Sequence, residues 1–148
     1  MVLHEIINRN AVVIHSQATC KNEVIEELAV KLFQDGSISD IEAFVQDVYQ
    51  RENEGITGIG KGIAIPHGKS VFVDKTCIAI AKLENPIKWE SIDEEPVRVV
   101  FLFAVDDRDR STYFIKLMSK VARLLACDTF CLNLLNAENE EELMRLFI

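Results

Sequence analysis

Nine consecutive positions, Val97 to Val105, hold eight apolar side chains and one charge, Arg98. A strand with one wet face alternates apolar and polar residues. A strand apolar on both faces must be covered on both. Cys77-Ile78-Ala79-Ile80-Ala81 repeats the demand. A chain with two such strands needs a sheet with helices packed on either side, and its other segments supply them. Val24, Ile25, Leu28, Ala29, Leu32 and Phe33 fall on one helical face, and Gly36 stands where that helix would stop. Ile41, Phe44, Val45, Val48 and Tyr49 form a second stripe. Ser39 and Glu42 precede it with capping-box spacing, and the helix is expected to end near Glu54 and Gly55. Phe114, Leu117, Met118, Val121, Leu124 and Leu125 mark a third helix. A shorter segment follows over Asp128 to Leu135, and Asn139 can cap a last helix. Asn10 to His15 reads as an early strand, Ile63 to Ile65 as a short one before Pro66.

The expected order is β-α-α-β-β-β-α-α-α, an α/β/α three-layer sandwich. Its sheet is mixed, because the strands after the glycine-rich stretch lie too close together for helical crossovers. With no repeat or linker, residues 1–148 read as a single domain.

Composition excludes several functions. Apolar residues make up 49% and charged residues 27% of the 148, the balance of a folded globular chain. No apolar run approaches the ~20 residues of a membrane span. Met1 to Asn10 carries His4, Glu5 and Arg9 and lacks the form of a secretory signal. Net charge is −8, with no dense Lys/Arg cluster, so nucleic acid and anionic membrane are poor partners. A basic protein would be attracted, although acidity by itself only keeps a chain soluble. Four cysteines without a signal indicate reduced thiols and a cytoplasmic location. Cys127 and Cys131 lie four apart with no second Cys or His pair near them. They read as buried small hydrophobes rather than metal ligands.

Gly55 to Gly68 holds five of the six glycines. Gly55 to Lys61 has the spacing of half a P-loop, but Gly62 follows where Ser or Thr should bind magnesium. Gly68-Lys69-Ser70 ends like one, with the wrong gap behind it. Neither opens a helix, so the mechanism that cradles a nucleotide phosphate is missing. Of the three histidines, His4 is expected to be exposed in a mobile terminus. His15 is expected to face solvent or a helix end. His67 follows Pro66, which fixes the backbone, and precedes Gly68, which is expected to leave space for another protein's backbone. The glycines upstream could offer N–H groups to an anion. Neutral imidazole has one nucleophilic nitrogen, so His67 suits reversible phosphoryl transfer. A plain turn histidine fits the spacing as well.

The run Arg51-Glu52-Asn53-Glu54-Gly55-Ile56-Thr57-Gly58-Ile59-Gly60-Lys61-Gly62-Ile63-Ala64-Ile65-Pro66-His67-Gly68 closely resembles the signature of enzyme IIA domains of the fructose/mannitol/nitrogen class (EIIA type 2). These belong to the bacterial phosphoenolpyruvate-dependent sugar phosphotransferase system (PTS). Ile87-Lys88-Trp89, Pro96-Val97 and the helix Lys116 to Leu125 extend the resemblance over essentially the whole chain. It implies that His67 takes a phosphoryl group from the phosphohistidine of HPr and passes it to a IIB component, usually to a cysteine, with a membrane IIC downstream. It implies that Arg51 stabilises the phosphoryl oxygens, where a guanidinium fits by charge and fork geometry. Thr57, Gly58 and Gly68 would line the site. No cofactor or metal is implied, because the transfer rests on positioning and charge stabilisation.

One position departs from the pattern. Many members carry a second histidine where this chain has Phe114, beside Tyr113. A phenyl ring cannot hydrogen-bond the phosphoryl group or orient His67. Three readings therefore stand: a phosphocarrier for sugar uptake, a regulatory nitrogen-type IIA whose phosphorylation state partners read, and a degenerate binding module. With 148 residues and no attached IIB or transcription-factor domain, a IIA domain alone is expected.

Overall fold

The computed structural model describes residues 3–109 and 113–148, so Met1 and Val2 of the N-terminal stretch lie outside it. A short helix α1 (Leu3–Ile6) leads into β1 (Ile7–Ser16). Helices α2 (Lys21–Gln34) and α3 (Ile41–Glu52) follow, then three short strands β2 (Gly58–Gly60), β3 (Ile63–Ala64) and β4 (His67–Ser70). The long strands β5 (Cys77–Ile87) and β6 (Val97–Asp106) precede α4 (Tyr113–Leu125), α5 (Asp128–Asn136) and α6 (Glu140–Arg145).

The sheet runs β1-β5-β6-β3-β2, and β4 also pairs with β6. It is mixed: β5 and β6 are antiparallel, whereas β1 on β5 and both β3 and β4 on β6 are parallel. The side-chain period of two sorts the long strands into two layers. Ala79, Ala81, Val100, Leu102 and Ala104 face a core shared with α2 and α3. Ile78, Ile80, Val99, Phe101 and Phe103 face a core shared with α1, α4, α5 and α6. The three alanines let α2 and α3 lie close on their side, and the larger side chains fill the other. This is the three-layer arrangement.

The observed order corrects the expected one by adding α1, β2 and β4. α1 is one turn, too short to carry a periodic pattern. β2 is Gly-Ile-Gly, with one β-forming side chain between two glycines, and β4 is His-Gly-Lys-Ser, with none, so neither carries a strand pattern of its own. Ladder bonds offered by neighbouring strands impose their extended form: His67 stands opposite Phe103, and Gly58 opposite Ala64.

Local signals held with one shift. The cap of α3 is Asp40, whose carboxylate accepts from the Ala43 amide at 3.0 Å. The Ser39 hydroxyl instead donates to the Phe72 carbonyl. α2 closes with Ser37 N–H on the Leu32 carbonyl and Gly36 N–H on that of Phe33, the double bond of a helix C-terminal motif. Asn139 caps α6 through the Glu142 amide. Of the two paired cysteines, Cys131 is buried, but Cys127 is exposed at the cap of α5. Its expected burial fails because it precedes the helix rather than sharing a face with Cys131. His4 is only half exposed, since α1 folds onto the sheet beside Leu3 and Ile6. His15 is exposed and pairs with Glu84. No helix among the described residues is long and apolar enough to cross a membrane.

Candidate active site

His67 opens β4 at the point where α3, β6 and α4 meet. Alternation along β4 sends His67 and Gly68 to opposite faces. Gly68 packs on α3: a Cβ there would stand 2.7 Å from Val48 Cγ2 and 3.1 Å from Phe44 Cε1. Its missing side chain therefore admits this chain's own helix, not a partner's backbone as the sequence suggested. His67 packs on α4, with its ring centroid 5.2 Å from that of Phe114 at an interplanar angle of 52°. Phe114 in turn meets Phe103 edge-on at 6.2 Å.

The imidazole is half-buried, and its Nδ1 is sealed from solvent. Burial holds its pKa below the ordinary histidine value. The nearby Arg51 cation lowers it further, while the Ile65 carbonyl and the carboxylates of Glu52 and Glu54 oppose the shift. The balance favours the neutral imidazole, and with Nδ1 sealed from solvent Nε2 is the candidate nucleophile.

Arg51 lies in the last turn of α3, and its Nη1 donates to the Gly55 carbonyl at 3.2 Å. The guanidinium is therefore parked on a backbone oxygen beside His67, with donors to spare. Sequence spacing did not show this proximity; the packing of α3 against β4 produces it.

Thr57 and Gly58 have other work. Thr57 is 3% exposed, and its hydroxyl accepts from the Trp89 indole N–H at 2.9 Å. Its carbonyl accepts from the Ile65 amide at 2.9 Å, two residues before His67. A Cβ on Gly58 would stand 2.6 Å from Ser91 Cβ, so this glycine lets the Glu90–Ser91 backbone press against β2. Three of the expected anion-binding amides are engaged within the chain. Gly58 N–H donates to the Glu90 carbonyl, Gly60 N–H to Ser91 Oγ and Lys61 N–H to Asp93 Oδ2. The glycine-rich stretch is a closed hairpin stitched to the loop before β6, not an open phosphate cradle.

A polar cluster next to the site escaped the sequence reading. The Lys21 ammonium bridges Glu52 at 2.8 Å and Glu90 at 2.5 Å, and lies 4.8 Å from the centroid of the Trp89 ring. The cluster lines a cleft of about 760 Å³ with Tyr49, Asn53, Glu54 and Gly55. His67 does not line that cleft. Among the described residues no group of three or more His, Cys, Asp or Glu side chains converges as a metal site would.

The sequence and the fold have counterparts in known proteins. The family described as "Phosphoenolpyruvate-dependent sugar phosphotransferase system, EIIA 2" matches residues 5–148. The chain is 33% identical over 145 residues to the 2-O-alpha-mannosyl-D-glycerate-specific EIIABC component of Escherichia coli K12. That alignment covers 97% of this chain and 22% of the relative, so the chain spans about a fifth of that protein's length. It is 38% identical over 139 residues to a nitrogen regulatory protein of Klebsiella oxytoca, covering 88% of this chain and 82% of the relative. The nitrogen regulatory protein IIA-Ntr of Neisseria meningitidis shares the fold over 100% of both chains, with a TM-score of 0.89 at 23% identity. The chain belongs to the EIIA type 2 family, the phosphoryl-carrying IIA components of the phosphoenolpyruvate-dependent sugar phosphotransferase system.

Proposed function

We propose that this chain is a cytoplasmic phosphohistidine carrier that accepts a phosphoryl group from phospho-HPr on His67 and hands it to a IIB component serving sugar uptake. The observation that carries this reading is a neutral imidazole with one nitrogen sealed, set beside a half-buried arginine. The Nε2 lone pair attacks phosphorus and forms the new N–P bond. The donor's N–P bond breaks, and its electron pair returns to the donor imidazole. The reverse sequence with a IIB nucleophile discharges His67.

Arg51 would leave the Gly55 carbonyl for the phosphoryl oxygens, exchanging a neutral acceptor for a charged one. Thr57, Gly58 and Gly68 act through position: the first two fix the hairpin before His67, and the third lets α3 bring Arg51 close. Phe114 supplies an apolar wall in place of a second imidazole. A IIB acceptor is supported by the E. coli relative, whose name joins A, B and C components in one protein.

A second reading is favoured by the Klebsiella relative, most of whose length this chain covers. In it the phosphorylation state is a signal and little sugar flux follows. The two separate in a chase experiment. The protein is phosphorylated through labelled phosphoenolpyruvate, enzyme I and HPr, then mixed with purified IIB domains. Rapid loss of label to a IIB supports the transport role. A charged protein that no IIB discharges supports the regulatory one.

A further inference from the structure

The Lys21–Glu52–Glu90 cluster has no part in the phosphocarrier mechanism above, yet Glu52 follows Arg51 directly on α3, the helix that packs on β4. Val48 packs on Gly68, the residue after His67. Arg51 and Glu52 form the next turn of the same helix, so both charges stand beside the end of the strand that begins at His67. A second route runs through the loop. Lys21 lies on the Trp89 ring, the Trp89 indole N–H holds Thr57, and the Thr57 carbonyl holds Ile65.

Glu52 is unusual in its own right. Its side chain is 5% exposed, its Oε1 pairs with Lys21, and its Oε2 is buried with no partner. A buried carboxylate with one unfilled oxygen keeps part of its charge uncompensated, where low local dielectric lets the field reach further than at the surface. Lys21 is shared with Glu90, so the cluster carries two negative charges against one positive.

We infer that the Lys21–Glu52 pair tunes the phosphoryl-transfer potential of His67: Glu52 disfavours the phosphoryl dianion, which eases its release to the acceptor, and Lys21 limits that effect. This rests on His67 being the phosphorylated residue. Both are positioning residues, because neither touches the reacting atoms. Arg51 and Glu54 also act on His67, and α4 meets it with the uncharged Phe114.

The arrangement makes opposite predictions for its two partners. Glu52→Gln leaves the cluster neutral, and Lys21→Gln leaves it with two negative charges. The test is proton NMR titration of the His67 ring in both variants and in the double variant. It is joined by the equilibrium fraction phosphorylated against a fixed ratio of phospho-HPr to HPr. Glu52→Gln is expected to lower the titration midpoint and raise the equilibrium constant for phosphorylation about threefold, the scale of one charge acting through an intermediate dielectric. Lys21→Gln is expected to move both readouts the other way by a similar factor, and the double variant to fall between the two.

A merely structural role would shift both single variants in one direction, or neither, and either result overturns the inference. Thermal melts confirm that each variant is folded at the temperature used. The titration needs no donor, so it decides the electrostatic claim even if HPr fails to charge the protein. That failure would count against the proposed function instead.

Discussion

Replacing Gly68 by alanine isolates the contact that brings the two reacting side chains together. The new Cβ would meet Val48 Cγ2 at 2.7 Å, Phe44 Cε1 at 3.1 Å and the Val48 backbone nitrogen at 3.2 Å. Val48 and Phe44 are both 0% exposed, so neither can swing into solvent. Val48 is β-branched on a helix and has one strongly preferred rotamer. The backbone nitrogen cannot move without the helix, so α3 must lift from β4. Overpacking of this kind costs about 1–3 kcal/mol, a drop of roughly 2–12 °C in Tm for a chain of this size.

The same displacement moves Arg51 away from His67. Phosphorylation by HPr should therefore slow in Gly68→Ala even at temperatures where the variant is fully folded. Adding Val48→Ala removes the closest clash, so the double variant should be less destabilised than the two single losses summed. Differential scanning calorimetry and initial phosphorylation rates check both points. An unchanged Tm for Gly68→Ala, or strictly additive losses, would refute the packing argument.

Further perturbations probe the other supports of the site. Thr57→Val leaves the buried Trp89 indole N–H without its acceptor and should cost about 1–3 kcal/mol by chemical denaturation, whereas Thr57→Ser should retain most of the stability. Phe114→Ala uncovers one face of His67. Its NMR titration midpoint should rise toward the ordinary value, and hydrolysis of the phosphorylated form should quicken. His67 has a depressed folded-state pKa, so its contribution to stability is complete above the ordinary value near 6.5 and is lost as pH falls through the folded value. Wild type should accordingly lose stability relative to His67→Gln on the acid side only, in denaturant melts across that range.

The layers of this fold could be read because their cause is local. The near-continuous apolar runs Cys77–Ala81 and Val97–Val105 state that both faces are covered, and helical stripes in Val24–Phe33 and Phe114–Leu125 state what covers them. The parts that escaped depend on partners distant in sequence. Thr57 finds Trp89, and Gly68 finds Val48, only after α3 and the loop before β6 have folded onto the sheet. β4 is a strand because β6 offers it a ladder, and its own residues give no sign of that.

The glycines of 55–68 looked open in sequence because glycine permits either an exposed nest or a close approach. In the structure Gly58 and Gly68 are close approaches. His67 stood out for its Pro and Gly neighbours, but Arg51 entered only through resemblance to a family signature. Spacing alone does not place an arginine at the end of a helix beside a histidine at the start of a strand. The Lys21–Glu52 pair could not be found from sequence, because nothing in either residue's neighbours marks a buried charge.

The most direct test of the account is intact mass measured after incubation with phosphoenolpyruvate, enzyme I and HPr, with His67→Ala treated in parallel. The account predicts one acid-labile phosphoryl adduct on wild type and none on the variant, with both proteins showing the same thermal unfolding profile. An adduct that persists on folded His67→Ala, or wild type left unmodified while enzyme I and HPr are shown to be active, would contradict it.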